Sequence, residues 1–255
     1  MNNLKQVKPF STQTFWIVGL FALMAASSCT KDEETGPNPN GKVSLTITHQ
    51  FKKAAIALGT PIVIDDSNSI TINKLDYFIS NITLRKADGS LGFTEPSSYH
   101  LVSLAGNGDA TINLSTVPAG EYASLECYIG VDNVRNQSLD IIGDINPTNG
   151  MAWDWEIGYK FLRLEGGCSK GALSKPLVWH VGLNENFKKV KINLSQGKVV
   201  QNQTQKISVL ANVDRLIVGT EVLLPLVDNN DIMLDKAKAA KVAANYASGF
   251  LVAAP

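Results

Sequence analysis

The densest run of chemically capable side chains is Gly150-Met151-Ala152-Trp153-Asp154-Trp155-Glu156-Ile157-Gly158-Tyr159-Lys160-Phe161. Drawn out as a strand, it puts Met151, Trp153, Trp155, Ile157, Tyr159 and Phe161 on one face and Asp154, Glu156 and Lys160 on the other. Such an aromatic stripe packs a core more often than it performs chemistry. Oxygen donors gather just upstream, where Asp132, Asn133, Asp140, Asp144, Asn146 and Asn149 are hard ligands of the kind calcium takes. Their spacing matches no EF-hand, and turn formation explains them at least as well. No GxSxG, HExxH, P-loop, CxxC pair or dinucleotide glycine fingerprint occurs; Gly106-Asn107-Gly108 lacks both a third glycine and a following helix. Without a nucleophile beside a base, the chain does not read as an enzyme.

The first residues are a processing signal. Lys5 and Lys8 precede an apolar run from Phe15 to Ala26, and Ser27 and Ser28 lead into Cys29. This reads as a secretory signal over residues 1–28, too short for a membrane span. Small residues before a cysteine resemble a bacterial lipoprotein cleavage site, with Cys29 lipidated as the new N-terminus. Residues 29–41 are polar and rich in Pro, Gly and Asn, which makes them a tether. Lys31-Asp32-Glu33-Glu34 resembles the surface-export signal of Bacteroidetes lipoproteins. The expectation is an outer-membrane lipoprotein on the periplasmic or cell-surface face, held by lipid on Cys29. Two further cysteines follow. Cys127 lies at period two with Ala123, Leu125, Ile129 and Val131, as a buried thiol would, while Cys168 sits in a Gly166-Gly167-Cys168 turn. Pairing and free thiols both remain open.

The elements that must position these residues are strands. Of 255 residues 44% are hydrophobic and 18% charged, enough apolar surface for a globular core. Lys plus Arg equals Asp plus Glu at 23 each, so no bulk positive field exists to hold nucleic acid. From residue 43 short β-branched and aliphatic runs alternate with polar residues between Gly, Pro, Asn and Asp turns. The pattern predicts strands over 43–51, 61–64, 69–73, 75–85, 99–104, 110–114, 121–131, 157–165, 176–182, 188–194 and 205–217. A helix over 235–248 follows, with Asp235 as N-cap and Gly249 beyond its end. The predicted fold is all-β, a sandwich or barrel-like antiparallel domain over 42–255 with a short C-terminal helix.

Several segments in order resemble the MbnP-like copper-binding proteins. They are Asn73-Lys74-Leu75-Asp76-Tyr77-Phe78-Ile79-Ser80-Asn81-Ile82, Ser98-Tyr99-His100-Leu101-Val102, Val117-Pro118-Ala119-Gly120-Glu121-Tyr122 and Ile129-Gly130-Val131-Asp132. The most specific is Asp144-Ile145-Asn146-Pro147-Thr148-Asn149-Gly150-Met151-Ala152-Trp153-Asp154-Trp155, continuing through Gly158-Tyr159-Lys160-Phe161 to Leu164-Glu165-Gly166. The resemblance implies an exported protein that binds one copper ion through histidines beside a tryptophan oxidised to kynurenine. It also implies a partner, an MbnH-like di-haem enzyme of the MauG type, that performs the oxidation.

The chain holds three histidines, His49, His100 and His180, and past the signal three tryptophans, Trp153, Trp155 and Trp179. Imidazole suits copper, and Met151 adds a soft thioether. The expected ligands are His49 and His180, with His100 third, and Trp153 or Trp155 is the tryptophan expected to be oxidised. Trp179 is the reserve, on the opposite strand face from His180. His49 and His180 also fit hydrogen-bonded core histidines. The competing function is a β-sandwich module that binds carbohydrate or another surface ligand by aromatic stacking, without metal.

Overall fold

Alternation dictates the first strand. In β1 (Asn40–Phe51) Val43, Leu45, Ile47, His49 and Phe51 are buried, and the residues between them face partly outward. The chain continues through β2 (Ala54–Ala55), β3 (Pro61–Val63), β4 (Asn68–Arg85), β5 (Leu91–Thr94), β6 (Tyr99–Ser103), β7 (Asp109–Pro118), β8 (Gly120–Glu121) and β9 (Ser124–Ile129). After the short helix α1 (Asn133–Asn136) come β10 (Lys160–Lys170), β11 (Leu173–Gly182), β12 (Lys188–Asn193), β13 (Lys198–Val199) and β14 (Thr204–Asn212). Helices α2 (Asp214–Ile217) and α3 (Lys236–Ala247) precede β15 (Leu251–Ala253). The computed structural model describes residues 39–104, 109–139, 143–153, 156, 158–195 and 197–255. Cys29, Asp140, Asp154, Trp155, Ile157 and the Gly106-Asn107-Gly108 segment lie outside the described residues.

Two sheets form a β-sandwich with no closed barrel. In the smaller sheet β14 lies parallel to β1 on one edge, and β7 and β2 pair antiparallel along the other. The larger sheet has the order β11-β10-β4-β9-β12, with β4 as its spine. β10 and then β9 share one edge of β4, while β3, β6 and β5 follow one another along the other. Val43, Leu45 and Ile47 of one sheet meet Leu75, Tyr77, Leu162, Leu164, Trp179 and Val181 of the other in the main core. Burying each such side chain stabilises the fold by about 1.5–3 kcal/mol before entropy is counted.

The larger sheet is covered on its outer face too. Phe78, Val131, Ile145, Met151, Tyr159 and Phe161 make a second cluster there, under the chain between β9 and β10. That cover makes residues 75–80 of β4 buried on both faces. At the opposite end of the chain, α3 starts on Asp235, whose Oδ1 accepts the Lys238 N–H at 3.0 Å. Its buried face carries Ala239, Val242, Ala243 and Tyr246, and the Tyr246 hydroxyl donates to the Asn186 carbonyl.

Several expected boundaries move. Residues 69–73 and 75–85 form one strand, because a bulge opposite Glu165 and Gly166 carries the pairing across the gap expected at Lys74. Gly166 is required at that bulge: a Cβ there would sit 1.8 Å from the Thr71 carbonyl oxygen. The expected strand over 205–217 ends at Asn212 and gives way to α2. The strand expected from 157 starts at Lys160. Ahead of it, Met151–Trp153 and Gly158–Lys160 bond back on each other, through Trp153 N–H to Gly158 O at 3.1 Å and Lys160 N–H to Met151 O at 2.7 Å. Gly158 allows the reversal with φ +132. β5 and β15 carry too few residues to show a period and were not predicted.

Candidate metal centre

β11 sorts its last residues by face. Trp179 and Val181 enter the main core, so His180 between them points to the outer face. The free edge of β11 is covered by the segment before α3, through Val178 N–H to Asn230 O at 2.7 Å and Ile232 N–H to Val178 O at 3.0 Å. Met233 and Asp235, just beyond these bonds, line the same cavity as His180.

Glu165 of β10 fixes the imidazole. Its Oε1 lies 2.7 Å from His180 Nε2. Burial pushes Glu165 up, but the His180 hydrogen bond and the charges of Arg163 and Lys74 outweigh it and hold the group below its ordinary value. It is therefore a carboxylate that can only accept, and Nε2 carries the hydrogen. His180 itself lies below its ordinary value, first because it is buried and then because Lys160 and Arg163 repel a second positive charge; the Glu165 bond opposes both. A neutral ring protonated on Nε2 leaves a lone pair on Nδ1. That atom is buried and has no hydrogen-bond partner among the described residues. An imidazole held by a carboxylate on one nitrogen and bare on the other is the arrangement metal-binding histidines use.

Trp153 faces it. The two ring centroids are 5.9 Å apart with planes at 60°. Trp153 is 7% exposed, and Lys160 Nζ sits 5.4 Å from its ring centroid while donating to Gly150 O at 3.1 Å. Gly182 lets the loop come this close: a Cβ there would stand 2.6 Å from Tyr159 O and 3.0 Å from Trp153 Nε1. Both side chains line a cavity of about 140 Å³ whose walls also include Glu156, Met233 and Asp235.

The other expected residues take different places. His49 Nε2 lies 3.0 Å from the Tyr77 hydroxyl inside the main core. Tyr77 is on the inner face of the larger sheet and His180 on its outer face, so the structure does not bring the expected pair together. His100 Nε2 is 2.8 Å from Glu95 Oε2, which also accepts from Ser98 Oγ. Met151 is fully buried in the outer cluster. Trp179 is enclosed in the main core, its Nε1 donating to Asn229 O at 2.6 Å. Cys127 and Cys168 are both buried free thiols, and burial pushes Cys127 up to about 12.

The oxygen donors near α1 are occupied by local structure. Asp132 caps α1 and accepts the Tyr99 hydroxyl, Asp144 accepts Leu101 N–H, Asn146 accepts Thr148 N–H and Asn149 accepts Met151 N–H. Among the described residues no three His, Cys, Asp or Glu side chains converge as a ready cage. Met233 is the residue that sequence reading missed. It is 53 positions from His180 and 80 from Trp153, and only the bonding of residues 230–232 to β11 reveals the proximity.

Fold and site define a β-sandwich protein with a buried, carboxylate-held imidazole beside a tryptophan at the wall of a small cavity. The MbnP family model matches residues 40–239, and the chain belongs to that family. The solved structure of MbnP from Methylosinus trichosporium is similar to it over 71% of this chain and 78% of that chain, with a TM-score of 0.47 and 12% identity. No curated protein matches the chain.

Proposed function

We propose that this MbnP-type protein is an exported, lipid-anchored copper-binding accessory protein, and that the ion is held on His180 Nδ1 beside Trp153. The observation that carries the reading is the bare, buried Nδ1 of an imidazole whose centroid lies 5.9 Å from that of Trp153, with Glu165 fixing the other nitrogen. Indole is a poor ligand, but opening it to kynurenine leaves an aniline nitrogen and a carbonyl oxygen. An MbnH-like di-haem enzyme of the MauG type is the proposed agent, and Trp153 its proposed target. Trp179 suits the role less well, because it is enclosed in the main core on the other face of the sheet. Lipid on Cys29 would hold the protein at the outer membrane. No helix among the described residues is long and apolar enough to cross a membrane.

His49 and His100 serve as structural histidines in this reading, each engaged with a neighbouring side chain. The carbohydrate-module alternative needs exposed rings for stacking, and Trp153 and Trp179 are both buried. The test is peptide mass mapping of residues 151–160, with a copper titration, on protein made with and without the di-haem enzyme. Co-production should convert Trp153 and tighten copper binding. Tight binding by the wholly unmodified chain would remove kynurenine from the account, and conversion of Trp155 with Trp153 intact would overturn the choice of Trp153.

A further inference from the structure

Lys160 opens β10, and its two nitrogens are both tied to the segment before Trp153. Its N–H donates to Met151 O at 2.7 Å and its Nζ to Gly150 O at 3.1 Å. The second bond holds the ammonium 5.4 Å from the centroid of the Trp153 ring. Both residues are enclosed, Lys160 at 8% exposure and Trp153 at 7%. We infer that Lys160 is a positioning residue for the oxidation of Trp153: its ammonium makes the indole hard to oxidise, so that the ring stays intact until a strong one-electron acceptor of the high-valent haem class meets it. The inference rests on the reading of Trp153 as the oxidised tryptophan given above.

The π electrons of a neutral indole attract a cation. Removing one of them reverses the contact. In that step one electron leaves Trp153 and the acceptor gains it; no bond breaks, and the positive charge left behind sits on the ring beside the ammonium. The intact ring is therefore stabilised and the oxidised ring repelled, and both effects raise the potential at which the electron leaves. Enclosure keeps water from screening the repulsion. The carboxylates of Glu156 and Asp235 on the cavity wall oppose it, from positions open to water where their charges count for less. The same ammonium acts on His180, where its charge helps to disfavour a protonated ring. A purely structural role would not call for a charge. An uncharged amide could donate to Gly150 O without the cost of burying an ammonium.

The experiment uses the full chain, made without the partner enzyme, as wild type, Lys160→Gln, Lys160→Met and Lys160→Arg. Two uncharged oxidants attack an indole in different ways. Chlorine dioxide takes a single electron and leaves as chlorite, so its rate follows the potential. Singlet oxygen adds to the ring, so its rate follows access. Peptide mass mapping of residues 151–160 reads both rates at Trp153. The ratio of the chlorine dioxide rate to the singlet oxygen rate should rise by at least about fivefold in Lys160→Gln and Lys160→Met, and stay within about twofold of wild type in Lys160→Arg. A variant that only loosens the structure raises both rates together and leaves the ratio unchanged, so partial unfolding does not imitate the effect. An unchanged ratio in both neutral variants would overturn the assignment, and so would a ratio in Lys160→Arg as high as theirs. Co-production of the wild type with the di-haem enzyme separates this inference from the reading beneath it. Conversion of Trp153 together with an unchanged ratio would remove Lys160 from the account and leave the oxidised tryptophan standing. A raised ratio with Trp153 never converted would support the effect of Lys160 on the indole and overturn the role given to Trp153.

Discussion

His180 and Glu165 divide the two nitrogens of one imidazole between structure and chemistry. The carboxylate takes Nε2–H, and the lone pair on Nδ1 has no partner among the described residues, which is why the proposed ion is put there. Glu165→Gln should lower copper affinity by about tenfold without removing a ligand, because a carboxamide no longer enforces the tautomer; isothermal titration would read it. The opposite outcome is expected for His49, whose ring bonds to Tyr77 in the core. His49→Ala should cost about 2–4 kcal/mol in urea unfolding, from a cavity and an unpaired hydroxyl, and leave copper affinity unchanged. At this scale the sequence was half legible. His180 at a polar strand end and the Trp153 segment could be read from local context, whereas the pairing of His49 with His180 could not be tested without knowing that a sheet separates them. Met233 was silent because its relation to His180 exists only through the strand edge.

The loop between β9 and β10 shows what element-level reading can and cannot reach. Period-two alternation predicts a strand through Met151 and Phe161, but hydrophobic residues on a covered outer face look the same whether they come from a strand or from a loop folded over it. Met151, Tyr159 and Phe161 pack into the outer cluster while Trp153 turns toward His180. The long strands and α3 were legible because each repeats its pattern over many residues; β5 and β15 were not. Gly182 is the element-level constraint on the site. Gly182→Ala should push the loop away, lowering the melting temperature by an amount equivalent to about 1–3 kcal/mol and weakening copper binding, with a change in tryptophan fluorescence.

Across the whole molecule, ion pairs tie strands that lie far apart in sequence. Arg85 of β4 and Lys189 of β12 both meet Glu126 of β9, at 2.6 and 2.7 Å. Burial pushes Glu126 up, yet the bonds from Lys189 and Arg85 hold it below its ordinary value. Its contribution is then full above the unfolded-state value of about 4.3 and is lost as the pH falls through the lower folded value. Glu126→Gln should cost about 1 kcal/mol at pH 7, and the gap from wild type should close as the pH drops below about 4 in urea titrations. The tether is tested at the same scale: Cys29→Ser should release the protein from the outer-membrane fraction, and unchanged partitioning would sink the lipid anchor. The central claim is where the ion sits, and the most direct measurement is a copper-edge anomalous difference map from crystals of the copper-loaded protein. One peak about 2 Å from His180 Nδ1, beside residue 153, is the predicted result. A peak at His49 or His100, with none at His180, would contradict it.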